Sequence, residues 1–141
     1  MSPHRAAALA AAAVFGIAIA IGLYVSGSPL EQRLLRSDRQ RVDDLRGLAG
    51  VISRYVMETG RLPETLDALV DGRHLTRLPR DPATREPYVY VVKGPLAFEL
   101  CADFSRPSPP PMQDDFWRHG PGRACFGFDY TDLPRPNRST P

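Results

Sequence analysis

With 141 residues and a formal net charge of +2, the chain has room for one small domain beside any terminal segment. Its charge is too mild to imply a nucleic-acid partner. Its basic residues are arginines except for Lys93, and they form no cluster interleaved with aromatics of the kind that binds nucleic acid. Its two cysteines, Cys101 and Cys125, predict a disulfide in an exported domain and two free thiols in a cytosolic one.

Ala6 to Val25 is an uninterrupted apolar run without a charge, bounded by Arg5 and by Ser26-Gly27-Ser28-Pro29. A helix needs about 20 apolar residues to cross a bilayer core, and this run has that length. A secretory signal has a shorter apolar stretch, about 7–15 residues, before small residues at a cleavage site, and Val25-Ser26-Gly27 can serve as one. The length favours a retained anchor or uncleaved signal over residues 1–27, with a removed signal as the alternative. The flanking charges point the other way from the cysteines. Arg5 precedes the run and Arg33, Arg36, Arg39 and Arg41 follow it, which by the positive-inside rule puts the longer part in the cytoplasm. Long domains translocate largely regardless of charge, and the cysteine pair argues for export. Recognition of lipid by these arginines is weakened by Glu31, Asp38, Asp43 and Asp44 among them.

Ser28-Pro29-Leu30-Glu31 carries helix-start signals: a capping serine, proline at the first helical position and a capping-box glutamate. From Val42 the apolar residues Leu45, Leu48, Ala49, Ile52, Tyr55 and Val56 recur at three-and-four spacing, and Gly60 suits a left-handed terminator. The pattern predicts a helix from about Pro29 to Thr59. Its polar first half, with Arg33, Arg36, Arg39 and Arg41, reads as a stalk, and residues 28–60 form the stalk and amphipathic helix. Leu66, Leu69 and Val70 give one face of a short helix with Pro63 at its first position, ended by Gly72. Leu78 to Arg85 is rich in turn signals.

The period then changes. Tyr88 to Val92 reads as a strand and Lys93-Gly94-Pro95 as a turn. Ala97 to Phe104 alternates, with Phe98, Leu100, Ala102 and Phe104 on one face and Glu99, Cys101 and Asp103 on the other. Residues 105–123 read as loop, extended at Pro109-Pro110-Pro111. Arg123 to Tyr130 predicts a third strand, again with its cysteine opposite the aromatic face. Aligned neighbouring strands bring Cys101 and Cys125 to bonding distance, closing a loop for roughly 3 kcal/mol by the chain-entropy estimate. Residues 61–130 form a small α+β head, and residues 131–141 a disordered tail.

Candidate chemistry is sparse. Asp114, Asp115, His119 and Cys125 fall in one stretch without the spacing of a zinc site. Asp81, Asp114, Asp115 and Asp129 can supply oxygens to calcium, but the alternating Asp/Asn-glycine pattern is missing. The histidines are His4, His74 and His119. No nucleophile elbow, Walker or dinucleotide signature accompanies them, and His74 reads as an exposed loop residue. The expectation is a non-enzyme without metal, cofactor or small-molecule substrate. Phe116 and Trp117 on the proline loop either fold back on the sheet or anchor a partner.

Tyr55, Gly60, Leu62-Pro63, Thr65-Leu66 and Leu69, followed by Leu78-Pro79, Asp81-Pro82, Pro87-Tyr88, Tyr90 and Phe98-Glu99-Leu100, stand in a recognisable order. In this order, over about residues 40–104, the chain resembles type IV pilin-like proteins, the major pseudopilin of type II secretion systems in particular. The resemblance implies an α+β fold: an N-terminal transmembrane helix, then an amphipathic helix packed on a small three-stranded antiparallel sheet. Two departures stand beside it. Met1 to Arg5 carries no prepilin peptidase site and the apolar run no glutamate, and the family's calcium loop has no counterpart after Phe104. The resulting expectation is a single-pass bacterial inner-membrane protein with a periplasmic head, acting in interaction or assembly with other envelope proteins. A subunit of a type II secretion or pilus-like system and a secreted periplasmic binding protein are the alternatives.

Overall fold

The computed structural model describes residues 3–26, 28–110 and 115–131. The tail beyond residue 131 and the segment 111–114, with the last proline of the triple-proline run and Asp114, lie outside the described residues. The chain divides into two compact units, Met1–Leu34 and Leu35–Pro141.

The first unit holds helix α1 (Pro3–Ser26), 24 residues long. The helix is long and apolar enough to cross a membrane, and side chains 3–24 are all exposed. A helix apolar on every side gains nothing from one-sided packing, and lipid is the medium that suits it. Helix α2 (Pro29–Thr59) begins as its sequence signals predict, with the Glu31 N–H donating to Ser28 Oγ at 3.2 Å.

In the second unit α2 buries Val42, Leu45, Leu48, Ala49, Ile52 and Val56, the stripe read from the spacing, and Tyr55 is partly buried beside them. Gly60 ends the helix at φ 72°, its N–H donating to the Val56 carbonyl at 2.7 Å. A left-handed residue here closes the last turn, and glycine adopts that conformation without a Cβ clash. The short helix after it is a 3-10 turn, Leu66–Leu69. Pro63 does not start it. It is buried instead, and its carbonyl accepts the Tyr90 hydroxyl at 3.0 Å.

Three strands follow: β1 (Val89–Val92), β2 (Ala97–Phe104) and β3 (Gly122–Asp129), antiparallel in the order β1-β2-β3. The inner face carries Phe98, Leu100, Ala102, Phe104 and Phe126, which join the α2 stripe in one core. The outer face carries Glu99, Asp103 and Arg123. Asp103 and Arg123 stand directly opposite and pair at 2.8 Å. The fold is α+β, with one long apolar N-terminal helix and a three-stranded antiparallel sheet.

Candidate functional site

A buried charge cluster ties α2 to the rest of the head. Arg41 and Asp38, one helical turn apart, are each only 4% exposed. The Arg41 guanidinium donates Nε to Asp81 Oδ2 at 2.6 Å and Nη2 to Asp81 Oδ1 at 3.1 Å, and Nη1 to Asp38 Oδ1 at 2.6 Å. Each carboxylate has backbone donors too. Asp81 accepts the N–H of Ala83 and Thr84, and Asp38 accepts those of Ser105 and Arg106. A planar fork matched to two hydrogen-bonded carboxylates is the geometry in which buried ions tolerate loss of water. Burial pushes the Asp81 carboxyl up, but Arg41 and the two N–H donors outweigh it and hold it at about 2. Arg41 is not an outward stalk residue: besides Asp38, one turn away, it pairs with Asp81, forty positions away, where helical periodicity carries no information.

Beside the cluster, the Tyr88 hydroxyl donates to Asp44 Oδ2 at 2.7 Å. Burial raises the Asp44 carboxyl, against the pull of that hydrogen bond. Conservative replacement separates the two effects. We expect Asp44→Asn, which keeps an acceptor for Tyr88, to change stability at pH 7 by less than about 1 kcal/mol. Asp44→Leu orphans the buried hydroxyl and should cost about 1–3 kcal/mol in urea denaturation.

A groove of about 290 Å³ opens next to Asp38. Its helical wall is one stripe of α2: Leu35, Asp38, Arg39, Val42, Asp43 and Arg46. Its opposite wall is Pro107, Ser108, Pro109 and His119. That wall is locked from behind. The Ser108 N–H donates to the His119 carbonyl at 3.0 Å and the His119 N–H to Ser108 Oγ at 2.9 Å. The His119 ring stacks on Phe104 with centroids 3.6 Å apart. Arg46 lies over the Trp117 ring, 5.4 Å from its centroid, and 3.5 Å from Asp43 Oδ1. Arg39 is exposed and has no hydrogen bond or ion pair among the described residues.

Of the two loop aromatics, Trp117 is buried against Phe126, with ring centroids 4.8 Å apart. Phe116 is 47% exposed and has edge and tilted contacts with Trp117 and Phe128. Cys101 and Cys125 form a disulfide from directly opposed positions of β2 and β3. Glu99 brings a carboxylate oxygen within 4.8 Å of both sulfurs, and among the described residues this is the one grouping of three residues of metal-ligating type. With the sulfurs bonded to each other it offers no thiolate to an ion.

The other acidic and histidine candidates are dispersed. Asp115 pairs with Arg118 at 2.7 Å, Asp129 accepts the Thr131 N–H, and Asp81 belongs to the Arg41 cluster. His74 is not the exposed loop residue that its flanking sequence suggested. Its side chain is 6% exposed, with Nδ1 2.6 Å from Asp71 Oδ2 and Nε2 3.3 Å from Glu58 Oε2, the second contact without hydrogen-bond alignment. Hydrogen bonds from the His74 N–H, the His74 ring and the Arg73 N–H hold the Asp71 carboxyl well below the usual range. His74 thereby joins the loop to the end of α2. The Asp71 spacing, three residues before it, was the local signal for this contact.

No protein-family profile matches the chain, and neither a curated protein nor a solved structure does.

Proposed function

We propose that this chain is a single-pass membrane protein of the bacterial cell envelope. Its pilin-like, non-enzymatic head works on the outer side of the inner membrane, in interaction or assembly with other envelope proteins. The observation that carries this reading is the combination of a membrane-length apolar helix with a disulfide-stapled head. Disulfides persist in oxidising compartments, so the staple argues for export although the arginines after the apolar run argue against it. A head with a solvent-facing groove and an aromatic at its surface, Phe116, suits contact with a partner. The element order, an amphipathic helix followed by an antiparallel three-stranded sheet, supports membership of a secretion or pilus-like assembly as the second reading.

The test is the intact mass of the native protein from the membrane fraction, with thiols alkylated before lysis. The expected result is the full-length chain, lacking two hydrogens and unalkylated. Two alkylated cysteines would put the head in the cytoplasm and overturn the reading. A chain beginning near Ser28 would replace the anchored protein with a secreted one.

A further inference from the structure

The groove on the head has walls of unequal chemistry, and the inequality says what can enter it. The helical wall offers no backbone donors, because an α-helix satisfies its own away from the ends. The opposite wall offers none either. Pro107 and Pro109 have no N–H, and the N–H of Ser108 is already given to the His119 carbonyl. A strand cannot add here by ladder hydrogen bonds, so recognition rests on side chains. A polyproline II segment, which makes no backbone hydrogen bonds of its own, is the peptide conformation that loses least in such a groove.

The charges set the spacing. Arg39 is unpartnered among the described residues, and Arg46, which lies over the Trp117 ring, has a loose ion pair with the exposed Asp43 at 3.5 Å. They stand two helical turns apart, about 10.5 Å along the axis at 1.5 Å per residue. In a polyproline II segment, positions i and i+3 share a face and lie about 9.3 Å apart. Leu35 and Val42 provide apolar surface between and before the arginines.

We propose that this groove docks an extended acidic segment of a partner protein. Carboxylates at positions i and i+3 meet Arg39 and Arg46, and the segment's apolar side chains lie against Leu35, Val42 and the two prolines. The inference rests on the reading of the head as an interaction module and names the chemistry of its partner.

The experiment uses the full-length protein in an uncharged detergent and fluorescence anisotropy of three labelled hexapeptides. One is Pro-Glu-Pro-Pro-Glu-Pro, the second has both Glu replaced by Gln, and the third has the two Glu adjacent. The first should bind most tightly, with affinity falling as salt rises. Arg39→Ala should weaken it by up to about fivefold, as should Arg46→Ala, the range of an exposed ion pair. Asp43→Asn, which removes the acid on the groove rim, should tighten it. Unchanged far-UV circular dichroism and an unchanged urea midpoint in each variant show that the head is folded; Trp117 emission is not used for Arg46→Ala, because Arg46 lies over that ring. Equal binding of the Glu and Gln peptides, indifference to Arg39→Ala, or no binding of any peptide would overturn the assignment. A head that fails here but is full-length and disulfide-bonded in the mass measurement loses only the acidic-segment assignment. Alkylated cysteines remove the envelope reading whatever the peptides do.

Discussion

Replacing Arg41 by methionine should destabilise the head by about 3–5 kcal/mol, the cost of leaving buried charge without its counter-ion. That is a large part of the 5–15 kcal/mol typical of a whole domain. Methionine fills much of the arginine stem's volume, so the loss reports the charge. Asp38 and Asp81, 4% and 7% exposed, keep their backbone donors but have no cation between them. Trp117, the single tryptophan and a buried one, reports unfolding of the head in urea without interference from the anchor. Arg41→Lys should fall between wild type and Arg41→Met, since an ammonium cannot reach both carboxylates in the planar two-armed geometry. Adding Asp81→Asn to Arg41→Met should recover part of the loss by removing one orphaned charge.

The same cluster sets a pH signature. The Asp81 carboxyl is held at about 2 in the folded head against 3.8 ordinarily. A depressed folded value means that the stabilisation is fully present above the unfolded value and fades as pH falls toward 2. Asp44, raised by burial, opposes this, since its folded form holds a proton longer as pH rises. In wild type the Arg41 cluster should dominate and acid should destabilise the head. In Arg41→Met the sign should reverse between pH 7 and pH 3, because protonating the orphaned Asp81 carboxylate relieves the variant. Equal acid sensitivity in the two proteins would show that Arg41 is not what holds Asp81 ionised.

Regular elements were legible because their signals are local. Ser28-Pro29 and Gly60 mark both ends of α2, and the stripe from Val42 to Val56 needs only a period of 3.6. The strands followed from alternation, although β1 begins at Val89, where the ladder with β2 starts opposite Cys101, and not at Tyr88. Arg41 was illegible for the opposite reason. A charged residue on a helix reads as solvated unless its partners are known, and Asp81 comes from another part of the chain, as do the Ser105 and Arg106 N–H groups that hold Asp38 beside Arg41. Asp81-Pro82 signals a turn in the sequence, but nothing local says that the turn also orients a carboxylate toward the helix. The groove was hidden in the same way: it exists only where residues 107–109 and 119 meet α2.

Removing the disulfide should have the second largest effect. Cys101→Ala with Cys125→Ala should cost roughly 3–4 kcal/mol by loop-closure entropy for a sequence separation of 24. For a head of this size, the melting temperature should fall by about 15–25 °C. Dithiothreitol should bring the wild-type protein to the same melting temperature, and an unchanged value on reduction would mean that the staple does not stabilise the head. The two large effects should also be coupled. The loop that the disulfide closes, Cys101 to Cys125, includes Ser105 and Arg106, whose N–H groups hold Asp38, together with Trp117 and the proline wall of the groove. Without the staple this loop is less firmly placed, Asp38 regains water more readily, and Arg41→Met should cost less than in the stapled protein. A double-mutant cycle should show at least about 0.5 kcal/mol of such coupling. Strict additivity would mean that Arg41 and the disulfide secure the two ends of the loop independently, with the groove wall held by the Ser108–His119 clamp alone.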